Sequence, residues 1–229
     1  MPKDDWQKNT IPNLFRALGA WPWGNCKECG GTGSHDGEVH GQINCEPCGA
    51  SGFSGVGFAP TSVLDVACGL SLKGKFIPTP VLVGLDLHRP YLEAVECDRP
   101  WIPICADVAD LSRLFLPKTF DLVLLLDIVE HVEKSQALRL IKDAEKIAKV
   151  AVVIETPKGF LPQNLDILGF DQHHLQTHRC GFEKEELEAL GYQTFARDYQ
   201  LAPIQRHTTE PVATECQLLN AIKLTGGDA

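Results

Sequence analysis

Residues 120–126, Phe-Asp-Leu-Val-Leu-Leu-Leu, are apolar at every position but Asp121. A strand with one face in water alternates apolar and polar residues. A run without alternation belongs inside a sheet covered by helices on both faces, which in practice means a parallel sheet. Parallel strands need crossover connections, so the neighbouring sequence should alternate strand and helix. From residue 61 onward it does. Strands are expected at 62–66, 81–86, 102–105, 120–126, 150–154, 192–199 and 216–224. Helices are expected at 90–97, with Pro90 in the first turn, at 133–149 and at 183–190, stopped by Gly191. Ala137, Leu140, Ile141, Ala144, Ile147 and Ala148 fall on one face of the long helix. The fold class that follows is α/β, a doubly wound and mostly parallel sheet.

The first of these strands carries the ligand signal. Residues 62–74, SVLDVACGLSLKG, run from an apolar strand holding Asp65 into a turn of small residues, Ala67-Cys68-Gly69. Such a turn lets a nucleotide-like ligand approach bare backbone at the carboxyl end of a parallel strand. Gly69 to Gly74 is a degenerate Gly-x-Gly-x-x-Gly, so a dinucleotide and an adenosyl cofactor both remain open. Eleven residues separate Gly69 from Val81, with Pro78 and Pro80 among them. The first crossover helix is therefore expected to be short or irregular.

Acids recur at the ends of the other strands. Asp86 closes the second strand, 17 residues after Gly69. A carboxylate there can accept both hydroxyls of a ribose. Asp107 follows the third strand, where it can accept from an adenine amine or cap the next helix. Asp127-Ile-Val-Glu130-His131 follows the fourth. All of them lie on the rim where open α/β sheets bind ligands.

With these pieces in place, the segments VLDVACG, GLDLHRPYLEA, CADVADL, FDLVLLLDIVEHVEK and ETPKGFLPQ resemble the class I S-adenosylmethionine-dependent methyltransferases. Gln176–Phe182, QTHRCGF, is similar to a later segment of that family. The resemblance spans about residues 62–191. It implies a seven-stranded sheet with the last strand antiparallel. It also implies S-adenosylmethionine as cofactor, with contacts from Asp65, Gly69, Ser71, Asp86, Asp107 and Asp127. Ser71 stands where the family has a second glycine, and Ala67 also replaces a usual glycine. There is no Asn/Asp-Pro-Pro-Tyr/Phe element after the fourth strand and no Pro-Cys nucleophile, which disfavours the DNA-amino and pyrimidine-ring enzymes of the family. Cys68 is expected to be packed rather than reactive. Methyl transfer to oxygen or nitrogen can use a general base. His131, His178 and Glu130 are the candidates, with His173 and His174 in the same loop as His178. A metal held by these histidines is the less expected reading.

Residues 24–57 are of another kind. Cys26-Lys-Glu-Cys29-Gly-Gly-Thr-Gly recurs as Cys45-Glu-Pro-Cys48-Gly-Ala-Ser-Gly, with 15 residues between the two pairs. Two Cys-x-x-Cys turns present four thiolates, the set that suits a tetrahedral zinc. The repeat resembles half of the cysteine-rich zinc-binding region of DnaJ-type chaperones. Cys26, Cys29, Cys45 and Cys48 are thus expected to hold one structural zinc, while His35 and His40 are not needed as ligands. The segment has one base, Lys27, against Glu28, Asp36, Glu38 and Glu46. Four thiolates on zinc add a further charge of about −2. That balance speaks against nucleic acid and leaves contact with substrate or a protein partner as the functional alternative to a purely structural role.

The expected organisation is a helical N-terminal segment at 1–23, the zinc module at 24–57 and the Rossmann-like domain at 58–229. The net charge of −9 disfavours a broad phosphate-binding surface. No apolar run approaches the roughly 20 residues of a membrane span, and the polar start MPKDDWQKNT does not read as a secretory signal. A cytoplasmic setting is expected. The function expected is methyl transfer to a small-molecule, carbohydrate- or lipid-type acceptor, at oxygen. The rivals are a methyltransferase for RNA or protein that docks through the zinc arm, a zinc-dependent binding protein keeping the fold as scaffold, and an NAD enzyme.

Overall fold

The structure is a computed structural model, and it describes residues 60–77, 79–164, 166, 168–200 and 215–225. The expected N-terminal helical segment and four-cysteine zinc module lie outside the described residues. From Thr61 onward the chain forms one compact unit. Its strands are β1 (Val63–Val66), β2 (Leu82–Asp86), β3 (Trp101–Cys105), β4 (Phe120–Leu126), β5 (Ala148–Pro157), β6 (Gln193–Gln200) and β7 (Glu215–Leu224). They form a single sheet in the order β3-β2-β1-β4-β5-β7-β6. The first five are mutually parallel, and β7 runs antiparallel to both β5 and β6.

Every residue of β1, β2 and β4 is buried, as their largely apolar character, broken by one aspartate in each, leads one to expect. The helices are α1 (Arg89–Glu93), α2 (Leu111–Leu114), α3 (Lys134–Ile147), α4 (His173–Gln176) and α5 (Lys184–Ala189). The longest, α3, buries Ala137, Leu140, Ile141, Ala144 and Ile147. Its start is set by a capping box between Glu133 and Gln136. Its end comes two residues before the expected one, because Ala148 and Lys149 already belong to β5. At its other end β5 runs three residues past the expected limit, to Pro157. That extension brings Glu155 and Thr156 to the rim of the sheet.

The pinched first crossover expected from the prolines is present. Between β1 and β2 the helical structure is a single 3-10 turn, Gly74–Phe76. Two glycines make room for large neighbours here. A Cβ on Gly84 of β2 would lie 1.8 Å from the indole of Trp101, so the missing side chain is what lets the β3 tryptophan lie across β2. A Cβ on Gly74 would lie 2.1 Å from Oδ2 of Asp65. Gly74, the last glycine of the degenerate fingerprint, thus serves the β1 acid.

Register aligns the carboxyl ends. Val66 pairs with Leu85, Asp86 with Cys105 and Leu126 with Glu155. The loops that leave this edge hold four non-glycine residues in the left-handed region, Ala67, Ser71, Asp127 and Asp171, at φ of 52°, 46°, 53° and 58°. Such conformations cost of order 1–3 kcal/mol each and cluster where function demands them.

Candidate active site

Asp86 lies at the tip of β2, buried, and is held by two backbone amides. Gly69 N–H donates to Oδ2 and His88 N–H to Oδ1, each at 2.8 Å. The carboxylate is thereby fixed against the β1 turn. Each oxygen keeps a further lone pair for a ligand hydroxyl. Burial pushes its pKa up, and the two amide bonds oppose that. Gly69 itself sits at φ 51°, and at that point the chain presents backbone rather than a side chain.

Asp65 is one turn deeper. The Ser71 hydroxyl donates to it at 2.7 Å. Ser71 is therefore committed to Asp65 and shapes the loop. Burial drives the Asp65 carboxyl up to about 7, with the Ser71 bond pulling down and the nearby Asp86 charge pushing up. This makes a prediction for the ligand-free protein. Below about pH 4 Asp65 is protonated in both folded and unfolded chains and contributes nothing. Between about pH 4 and 7 only the folded chain holds the proton, so stability falls as pH rises, by on the order of 4 kcal/mol in total, and is flat above. Asp65→Asn should remove this share of the slope, as read from urea denaturation at pH 4.5 and 7.5. An unchanged slope would mean that Asp65 is ionised in the fold.

Cys68 lies between these acids. Burial, then Asp65 and Asp86, raise its thiol far above the ordinary range. It stays protonated and is no nucleophile.

A buried lysine crosses the rim. Lys73, two residues past Ser71, is ion-paired with Asp127 after β4 and with Glu155 at the end of β5. Burial alone would lower the ammonium pKa, but the two carboxylates outweigh it and hold it above its usual value. The loop after β1 is thus tied to the ends of two other strands.

Beyond Asp127 the β4–α3 loop carries Glu130 and His131, both buried. Segment 177–182 docks on this loop. Arg179 and Cys180 N–H both donate to the Glu130 carbonyl, at 2.7 and 3.2 Å, and the Arg179 guanidinium donates to the His131 carbonyl. That docking sets the His178 ring against the His131 ring, with centroids 4.7 Å apart and planes at 72°. Nδ1 of His178 donates to the Leu161 carbonyl at 2.6 Å, and Nδ1 of His131 faces the Thr177 carbonyl at 3.4 Å. A carbonyl only accepts, so each Nδ1 carries the proton and each Nε2 keeps a lone pair. The Thr156 hydroxyl donates to Oε2 of Glu130 at 2.9 Å. Burial lowers the His131 pKa to about 4, helped by His178, and lowers that of His178 as well. Burial and the Asp127 charge raise Glu130 to about 8. At neutral pH the cluster therefore holds two neutral imidazoles beside a carboxyl group held above its usual range.

The expected site residues thus divide. Asp65, Gly69, Ser71 and Asp86 form one connected corner, and Glu130, His131 and His178 form a second. Asp127 sits beside both, bonded to Lys73. Asp107 is exposed and accepts from Ala109 N–H at 2.8 Å, as the N-cap of the turn Val108–Asp110. Three participants escape the sequence reading: Lys73, Glu155 and Thr156. Glu155 follows the same rule that picks Asp86, an acid at the end of an apolar parallel strand.

Flanking the Asp86 corner, His88, Tyr91 and Phe170 pack edge to face, with Tyr91 and Phe170 centroids 4.9 Å apart. The Tyr91 ring is buried, with the Gln176 side chain near its hydroxyl. The chemistry of this corner fits an adenosyl group: a fixed carboxylate for ribose hydroxyls, bare backbone at Gly69 and an aromatic cluster alongside.

No protein-family model matches the chain, and no curated protein matches it either. Solved structures do. A SAM-dependent methyltransferase from Methanosarcina mazei is 13% identical, with a TM-score of 0.50 over 73% of this chain and 93% of its own. A protein of Bacillus halodurans, provisionally assigned as a methyltransferase, is 12% identical, with a TM-score of 0.52 over 74% and 94%. TehB from Haemophilus influenzae is 10% identical, with a TM-score of 0.54 over 72% of this chain and 57% of TehB. The sheet is that of the class I methyltransferase fold. Identities this low speak for the fold alone. Among the described residues, no helix is long and apolar enough to cross a membrane.

Proposed function

We propose that this chain transfers a methyl group from S-adenosylmethionine to an oxygen of a small-molecule acceptor of carbohydrate or lipid type. One observation carries the reading. Asp86 is locked to the Gly69 amide at the carboxyl edge of a sheet with the methyltransferase strand order. When bound, the cofactor supplies an electrophilic methyl on a sulfonium.

The chain's own residues do the rest. Asp86 anchors the ribose through both oxygens, and Gly69 gives it backbone to lie on. Asp65 and Ser71 hold the loop in shape, and Asp107 stands near the adenine end. Lys73 with Asp127 and Glu155 fixes the rim between the two corners. The acceptor hydroxyl meets Glu130, His131 and His178, where neutral imidazoles suit removal of its proton. Transfer is an in-line displacement, so alignment and exclusion of water are the main tasks. Asp127 at φ 53° is part of that alignment.

Cys26, Cys29, Cys45 and Cys48 are assigned one structural zinc in this reading, on their sequence spacing. The acidity of that segment supports a role in contacting substrate or a protein partner over nucleic acid. The deciding experiment supplies methyl-labelled S-adenosylmethionine to the protein together with hydroxylated small molecules, RNA or an unfolded protein. Label is expected in the small-molecule fraction, in an alkali-stable ether. Label confined to RNA or protein would overturn the acceptor class.

A further inference from the structure

Glu130, His131 and His178 offer one ligand atom each within 4.8 Å of one another, all three residues buried. We infer that these three side chains form a binding site for a divalent transition-metal ion, one that holds and activates the acceptor hydroxyl. The inference rests on the methyl-transfer reading for its role, but not for the site itself.

Four features support the site. First, the donor set is two imidazoles and one carboxylate, the combination that suits Zn²⁺, Co²⁺, Mn²⁺ or Fe²⁺ rather than Ca²⁺. Second, both histidines have the second shell that metal-bound histidines need. Each Nδ1–H is tied to a main-chain carbonyl, Leu161 or Thr177, which fixes the tautomer and leaves Nε2 as the donor. Third, the carboxylate is oriented in the same way, by the Thr156 hydroxyl on Oε2. Fourth, the residues come from two segments, 130–131 and 178, clamped by the bonds from Arg179 and Cys180 to the Glu130 carbonyl. Donors on one ion lie roughly 3–3.5 Å apart at bond lengths near 2.1 Å. The present spacing, up to 4.8 Å, must shorten to that value when the ion binds.

Three protein ligands leave coordination positions open, as in catalytic rather than structural metal sites. An acceptor hydroxyl in one of them loses its proton near neutral pH. In this scheme the imidazoles bind the ion in place of acting as the base: the proton passes to solvent, the oxygen attacks the methyl carbon as the C–S bond breaks, and the neutral thioether leaves. Thr156 is a positioning residue in this scheme.

The test uses Mn²⁺ on the full chain, because thiolates bind Mn²⁺ weakly and the cysteine motif then stays silent. Loss of the free-Mn²⁺ electron-spin-resonance signal should give one ion per chain. Glu130→Gln and His178→Gln should each weaken it at least tenfold, whereas Cys26→Ser should leave it unchanged. Titration with S-adenosylhomocysteine in a chelator reports on folding of the variants and on the cofactor reading separately. Absence of saturable Mn²⁺ binding by the wild-type chain overturns the metal site, even if the variants fail to fold. So does unchanged binding in folded variants. Mn²⁺ binding without any adenosyl binding would keep the site and overturn the methyl-transfer reading.

Discussion

Replacing Lys73 by methionine is expected to destabilise the protein by about 3–5 kcal/mol, the largest effect of any single substitution at the rim. Lys73 is buried with its ammonium between Asp127 and Glu155, and Glu155 is 1% exposed. Methionine matches the stem in length and packing, so the loss is one of charge. Removing the lysine leaves the buried Glu155 carboxylate desolvated without compensation, which costs that much in measured cases, while the half-exposed Asp127 regains water. For a domain of this size, roughly 2–4 °C of melting temperature accompanies each kcal/mol, so the melting point should fall by about 10 °C. The double substitution Lys73→Met with Glu155→Gln should recover most of the loss, since no buried charge is then stranded. A loss under about 1 kcal/mol, or no recovery in the double variant, would mean that Lys73 does not bind the three loops together.

The second large effect falls on binding. Asp86→Ala should weaken S-adenosylhomocysteine at least roughly 100-fold. The carboxylate would supply charged hydrogen bonds to two ribose hydroxyls, each worth about 1.5–3 kcal/mol. It also fixes Gly69 and His88 through their amides. Asp86→Asn keeps one acceptor oxygen and should lose about tenfold. Far-ultraviolet circular dichroism of both variants separates a lost ligand contact from a lost fold. Binding unchanged in a folded Asp86→Ala protein would remove the ribose assignment.

Much of this is legible in the sequence for simple reasons. Residues 120–126 can only be a buried central strand, and the observed β4 has those limits. The prolines after Gly69 rule out a full first helix, and a 3-10 turn stands there. The place of Asp86 is legible because the apolar run of the second strand stops at that acid, and the observed β2 ends there. The errors fall at boundaries set by competition between elements. Residues 148 and 149 satisfy both a helical period and a strand, and pairing of Ala148 with Phe120 of β4 decides for β5. Residues 94–97 extend the expected first helix, but α1 ends at Glu93.

Lys73 is illegible for a different reason. A lysine in a loop ordinarily reaches water, and its partners are 54 and 82 residues away in the chain. Nothing local marks such a pair. The His131–His178 junction is half legible. Both residues stand out in the sequence, but their meeting depends on backbone bonds from Arg179 and Cys180 to a single carbonyl. Ala67 and Ser71 replace usual glycines, and the structure puts both at positive φ. The loop keeps the glycine-like conformation without the glycines, held by the Ser71–Asp65 bond.

The measurement that bears most directly on the whole account is calorimetric titration of the wild-type chain with S-adenosylhomocysteine, beside NAD as control. One molecule of S-adenosylhomocysteine per chain, with micromolar or tighter affinity, and no NAD binding is the expected result. No heat from S-adenosylhomocysteine or S-adenosylmethionine, in protein shown to be folded, would contradict the account at its centre.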